Sequence, residues 1–486
     1  MKKSYISLIL IVLFSAVSVN FGQTRNPAEM RAEEFIKIIN SGRRADFQKY
    51  VEANFGGEMA KIPTERHLNF FSSVYDTTRG YRIEGVEESK DNEVTLLIRN
   101  NLTGATDALI VTVEAEPPHR ITGIGLREPP AESVAKPEEL SEKEVAEQMD
   151  AFMKKIAAAD VFSGTVLLAK NGVPIYKSAY GMANKDFAVA NKIDTKLNLG
   201  SMNKMFTAVA IAQLVEQGKL SFEDPLAKFL PDFPDAEAAK KIKIKHLLSH
   251  TAGLGGYFSE KWAGTSRAEF RTVDDMIKMA KEDEKLLFEP GSQWRYSNTG
   301  MLVLGKIIEI VSEKSYFEYV RENIYKPAGM VNTGCFELDK VNENLAVGYD
   351  KNYTDEGITF SNNIFLHVMR GGPQGGCYST AEDLLKFSLA LQANKLTGAE
   401  YVKILTTAKP EINSPGYGYG FQINSGRNSF GHSGGFPGIN ANLEIFPETG
   451  WTAIVLSNYS RGGQPVAQKM RSLIESASVN GKQNLK

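Results

Sequence analysis

The stretch of residues 199–214 most constrains what this chain can fold into. After Gly200 and Ser201 it runs Met202, Asn203, Lys204, Met205, Phe206, then Ala208, Val209, Ala210 and Ile211, apolar at nearly every helical position. A helix that is apolar all round belongs in an interior. Any fold must therefore bury this segment, and Lys204 with it. A buried ammonium is costly unless it is paired or held neutral. Ser201 and Lys204, three residues apart, share a helix face. Ser201 also sits at the positive end of the helix, where backbone N–H groups stabilise an anion. A desolvated lysine has a lowered pKa and can take a proton from a serine hydroxyl. The S-x-x-K spacing proves little by itself, since Ser133 to Lys136 repeats it where there is no apolar period.

A length of 486 residues predicts two domains, or one large domain with an appendage. Lys2 and Lys3 precede apolar residues 5–19 and small residues follow, which predicts an export signal over residues 1–22, cleaved after Ser18 or Gly22. The expected location is then periplasmic or extracellular, with no membrane span left after cleavage. Asn26, Pro27 and Glu29 read as N-cap, N1 and N3 of a helix that Gly42 ends. A second helix over residues 66–75 and strands over 93–99 and 108–114 complete a small α+β unit, residues 26–127. Residues 128–143, rich in proline, glutamate and alanine, predict a linker.

Ser141 and Glu144 form a capping box that opens a second domain over residues 144–480. Residues 165–176 read as a hairpin turning at Asn171-Gly172. Residues 199–405 are mostly helical in pattern, and strand signals return at 419–423, 429–431, 443–446 and 452–456 before a last helix over 465–476. Strands at both ends predict one antiparallel sheet assembled from the two termini, with a helical insertion and terminal helices on one face.

Two further elements carry chemistry. Tyr296-Ser297-Asn298 is the one Y-x-N of the chain. In an extended segment Tyr296 and Asn298 point the same way. A phenol beside a lysine can be held partly ionised and shuttle protons, and an asparagine amide can bind the lysine and substrate at once. His432-Ser433-Gly434-Gly435 falls on a predicted edge strand, where glycines let a substrate backbone approach. The Gly435 N–H would supply a second oxyanion donor beside that of Ser201.

This constellation, in this order, resembles the serine β-lactamase superfamily, above all its class C β-lactamase, D,D-peptidase and esterase branch. The resemblance covers residues 144–476 and extends to His246-Leu-Leu-Ser-His250-Thr-Ala-Gly253, Glu289-Pro-Gly291, Lys326-Pro-Ala-Gly-Met330 and Ser379-Thr-Ala-Glu-Asp383. It implies a β-lactamase/transpeptidase-like α+β fold, an antiparallel sheet flanked by helices with a helical subdomain. It implies Ser201 as the acylated nucleophile, Lys204 and Tyr296 as the proton-transfer pair, and Asn298, His432, Ser433, Gly434 and Gly435 as substrate-binding positions. His432 stands where class C β-lactamases have lysine, and a neutral imidazole anchors a substrate carboxylate less well than an ammonium. The expected substrate is an ester or amide: a small molecule or a D-amino-acid peptide, cell-wall derived, or a β-lactam. The N-terminal unit resembles NTF2-like modules.

Rival readings have less support. Gly431 to Gly435 also satisfies G-x-S-x-G, but that elbow needs a following helix and a later catalytic histidine. Here Pro437 and Gly438 follow, and His432 is the last histidine. His246 and His250 lack the glutamate of H-E-x-x-H, so no metal or cofactor is expected. The formal net charge of -2 gives no electrostatic reason to expect nucleic acid or an anionic membrane as partner. Cys335 and Cys377 are either a disulfide or two small buried residues, and their spacing does not choose.

Overall fold

The computed structural model describes residues 26–129, 139–280 and 285–478. The predicted export signal and the S-x-x-K at Ser133 lie outside these residues.

The N-terminal unit opens with α1 (Pro27–Ser41), capped by the Asn26 side chain accepting from the Ala28 N–H at 2.8 Å and ended by Gly42 in the left-handed conformation. Helices α2 (Arg44–Asn54) and α3 (Thr64–Thr78) follow. The sheet is antiparallel, β1 (Tyr81–Lys90), β2 (Glu93–Asn100), β3 (Thr106–Val113) and β4 (Ile121–Arg127) in that order. Phe35, Phe47, Phe71, Leu96 and Val111 share its core. Helix α2 and strands β1 and β4 are not among the elements expected from the sequence. Helix α2 has no side-chain cap at its start, β1 is largely exposed and twice bulged, and glycines interrupt the alternation of β4.

In the second unit, α4 (Glu142–Ala158) begins inside the span assigned to the linker, because the Ser141–Glu144 capping box forms there. Strands β5 (Gly164–Lys170) and β6 (Val173–Tyr180) turn at Asn171 and Gly172, with φ of 49° and 78° as a type I′ turn requires. Helices α5 (Asn203–Glu216) and α6 (Asn298–Ser312) come next. A hairpin, β7 (Tyr349–Thr354) and β8 (Gly357–Asn362), interrupts the region that reads as helical. Helix α7 (Ala381–Gln392) precedes β9 (Gln422–Asn424), β10 (Ser429–Phe436), β11 (Ile439–Phe446) and β12 (Trp451–Ser457), and α8 (Gly463–Ala477) ends the described chain.

The main sheet runs β9-β10-β11-β12-β5-β6, antiparallel throughout. Pairing of β12 with β5, from Trp451 against Lys170 to Ser457 against Gly164, joins the two ends of the unit as the sequence predicts. Helices α4 and α8 bury Met149, Met153, Val466 and Met470 against one face. The larger core on the other face holds α5, whose residues 203–214 are all buried. Short β9 pairs only with Ser429, Phe430 and Gly431, so the edge of β10 from His432 onward is left open toward α5. This α+β architecture is the one the sequence predicts, and the open edge positions the site.

Candidate active site

Ser201 lies in the 3-10 turn Gly200–Met202 that leads into α5. Gly200 makes the turn possible with φ of 51°, and a Cβ there would press on the backbone of Gly434 and Gly435. Gly434 needs to be glycine for the same reason, since a Cβ would collide with the Leu199 carbonyl. The foot of α5 is thus pressed directly against the open edge of β10. On β10 the Ser433 N–H points away from β11 and donates to Gln422 Oε1 at 3.0 Å. Strand alternation directs the Gly435 N–H, two residues on, to the same open side.

Lys204 is 0% exposed, so its amine can be satisfied only by protein groups. Its Nζ lies 3.0 Å from Ser201 Oγ, 2.7 Å from Asn298 Oδ1 and 2.5 Å from the Gln374 carbonyl. Burial holds its pKa well below that of an ordinary lysine. Asn298 is the first residue of α6, and Ser297 caps that helix by accepting from the Gly300 N–H at 3.2 Å. Ser297 is extended, so Tyr296 and Asn298 flank it and both line the cleft. The Tyr296 ring centroid is 4.8 Å from Lys204 Nζ. Burial pushes the phenol up to about 12, opposed by its hydrogen bond with Ser201. The phenol is therefore a proton donor near neutral pH, where the sequence reading had it partly ionised.

The four positions on β10 separate. Only Gly435 lines the cleft. His432 is buried with its ring 6.4 Å from that of Tyr296, its Nδ1 donating to the Ser433 carbonyl at 2.6 Å and its Nε2 accepting from Tyr417 Oη at 2.8 Å. Burial, reinforced by the field of Lys204, lowers its pKa to about 3. Its assignment as a substrate contact is corrected: alternation along β10 turns it inward, with both nitrogens spent. Ser433 gives its N–H to Gln422, and Gly434 backs onto Leu199.

Sequence reasoning missed the Gln374 contact with Lys204 and left the roles of the histidines and cysteines around the site open. The Gln374 carbonyl that accepts from Lys204 belongs to the glycine-rich segment 371–376, where Gly372 and Gly375 exchange backbone hydrogen bonds and the Gly376 N–H donates to the Gly200 carbonyl. His250, with φ of 62°, packs 4.3 Å from the Tyr296 ring and accepts the Ser297 N–H on Nδ1 at 3.3 Å. His246 likewise spends Nδ1 on the Lys243 N–H. Cys335 and Cys377 are disulfide-bonded. The Cys377 carbonyl accepts from the Leu199 N–H at 2.8 Å, so the disulfide braces the approach to Ser201.

A serine and a buried lysine at the foot of a core helix, facing an open strand edge of an antiparallel sheet, define the serine hydrolases of β-lactamase/transpeptidase fold. The β-lactamase family model matches residues 145–477, and the chain belongs to that family. A protein of Bacillus subtilis (strain 168) named as a penicillin-binding protein, PbpX, is 33% identical over 296 residues, 61% of this chain and 70% of its own. A second penicillin-binding protein of that organism is 30% identical over 322 residues, 61% of this chain and 68% of its own. Among solved structures, a penicillin-binding protein from Bacillus halodurans superposes with a TM-score of 0.60 at 30% identity, covering 67% of this chain and 98% of its own. No helix among the described residues is long and apolar enough to cross a membrane.

Proposed function

We propose that the protein is an exported hydrolase that cleaves an ester or amide through an acyl-enzyme on Ser201. The observation that carries this reading is the 3.0 Å contact between Ser201 Oγ and the fully buried, pKa-lowered amine of Lys204. The neutral amine takes the hydroxyl proton as Oγ attacks the substrate carbonyl. The N–H groups of Ser201 and Gly435 receive the developing oxyanion. Tyr296 gives its proton to the leaving group and regains one from Lys204, and Asn298 holds the lysine in line. Water then releases the acyl group by the same steps. Export accords with the charged and apolar start of the chain and with the Cys335–Cys377 disulfide.

Wild type and Ser201→Ala, treated with a fluorescent phosphonate, test the nucleophile. Labelling is expected only in the wild type, and equal labelling of both would overturn the assignment. A second reading, a penicillin-binding sensor that acylates with little turnover, is favoured by the names of its relatives. It predicts a stoichiometric burst with no steady-state product.

A further inference from the structure

The cleft at Ser201 encloses about 200 Å³. Tyr257, Phe258 and Trp262 form one wall. Trp262 is fixed from behind, stacked on Phe270 at 4.6 Å with the Arg267 guanidinium 4.2 Å from its ring centroid. Leu366, Phe436 and Ile439 supply apolar surface elsewhere. Among the described residues, no lysine, arginine, aspartate or glutamate lines this cleft. Arg267, the cation behind the wall, donates to the Trp262 and Thr265 carbonyls at 2.5 and 2.8 Å. His367 lines the cleft, but burial lowers its pKa to about 4, so it is neutral near physiological pH. His432, on the strand beside the cleft, is spent on Tyr417 and Ser433.

A carboxylate brought into such a site would lose part of its hydration and meet only neutral polar groups such as Asn198 and Gln374, with no counter-charge in the lining. An apolar group would be welcome, and a dry cavity of about 150 Å³ already holds a benzene ring. The group attached to Ser201 stays in the cleft through both chemical steps, whereas the leaving group departs after the first. Shape and charge therefore select the acyl side most strongly. We infer that the cleft takes an uncharged, apolar acyl group of about one aryl ring and excludes acyl groups that carry a carboxylate. The inference rests on Ser201 being the nucleophile and adds the substrate class.

The test compares p-nitrophenyl methyl adipate with p-nitrophenyl hydrogen adipate, which differ only in the remote charge, and p-nitrophenyl phenylacetate with the acetate. Spontaneous hydrolysis is subtracted using Ser201→Ala, and a neutral fluorophosphonate monitors the nucleophile in the same preparation. The neutral adipate is expected to have kcat/KM at least about tenfold higher, since a charge left unpaired on apolar surface is strongly disfavoured. The phenylacetate is expected to exceed the acetate by about tenfold, from apolar area removed from water. In Phe258→Ala, whose side chain is about half exposed, that phenylacetate-to-acetate ratio falls by about threefold or more, with a thermal melt confirming that the variant is folded. Equal or faster turnover of the hydrogen adipate, with Ser201 labelled normally, overturns the inference alone. Absence of Ser201 labelling overturns the nucleophile and the inference together.

Discussion

With Nζ 3.0 Å from Ser201 Oγ and no solvent contact, Lys204 exchanges protons only with the groups around it. Desolvation makes the free amine the resting form at lower pH than for an exposed lysine, and the raised phenol of Tyr296 stays protonated beside it. One group is thus ready to accept a proton and the other to donate. Tyr296→Phe keeps the ring on His250 and removes the donor. Its kcat is expected to fall about 10²–10⁴-fold on anilides, whose leaving amine needs a proton, and far less on p-nitrophenyl esters. Parallel assays on the two substrates check this, and equal losses would take the phenol out of leaving-group protonation. Ser201, Lys204, Tyr296 and Asn298 are legible in the sequence because their geometry is set within one helical turn or one extended tripeptide. The Gln374 contact is not, since a carbonyl has no residue signature and lies 170 positions from its lysine.

At the scale of elements, three pieces converge on the nucleophile: the foot of α5, the open edge of β10, and the strand at Tyr378 and Ser379 that follows Cys377. The disulfide closes a loop with a sequence separation of 42 residues. Loop-closure entropy makes such a bond worth about 4 kcal/mol, with delivered values of about 2–4. Cys335→Ser/Cys377→Ser is expected to lose that much stability in urea titrations, and reductant should lower the wild-type midpoint without moving the variant. A variant as stable as wild type would contradict the bracing role. The joined sheet and its covering helices were legible from continuous apolar runs, buried on both faces in β5 and β12, and from the Asn171-Gly172 turn. The β7–β8 hairpin was not: each strand is six residues long and polar in most positions, and in β8 only Phe360 is even partly buried, so its signal is short and weak.

Across the whole molecule, that hairpin is one place where the N-terminal unit docks, and Leu102 packs into the core beneath α4 at another. Asp76 of α3 is buried, 2.6 Å from Lys351 Nζ and 3.3 Å from Tyr353 Oη, and Arg461 donates to Ser73 at 3.3 Å. The chain leaving β8 continues to Leu366 and Val368, which line the cleft. The N-terminal unit contributes no residue to the cleft lining and is linked to it through this segment of chain. Asp76→Ala leaves the nearly buried Lys351 without its partner. A loss of about 3–5 kcal/mol is expected, with KM for apolar esters rising more than kcat falls. Thermal melts and ester kinetics check this, and unchanged values in both would detach the unit from the cleft. No single residue of that unit announced the contact, because it depends on how the two units meet.

The central claim is that a buried, neutral Lys204 activates Ser201. Its most direct measure is the rate of Ser201 labelling by a fluorophosphonate across neutral and alkaline pH, in wild type and Lys204→Met. Methionine preserves the buried volume. The account predicts a wild-type rate that rises with pH as the amine loses its proton, with a midpoint well below 10.5. It predicts a rate about 10²–10⁴-fold lower in a folded Lys204→Met, with that rise abolished. Labelling in Lys204→Met at the wild-type rate, with the same pH profile, would contradict it.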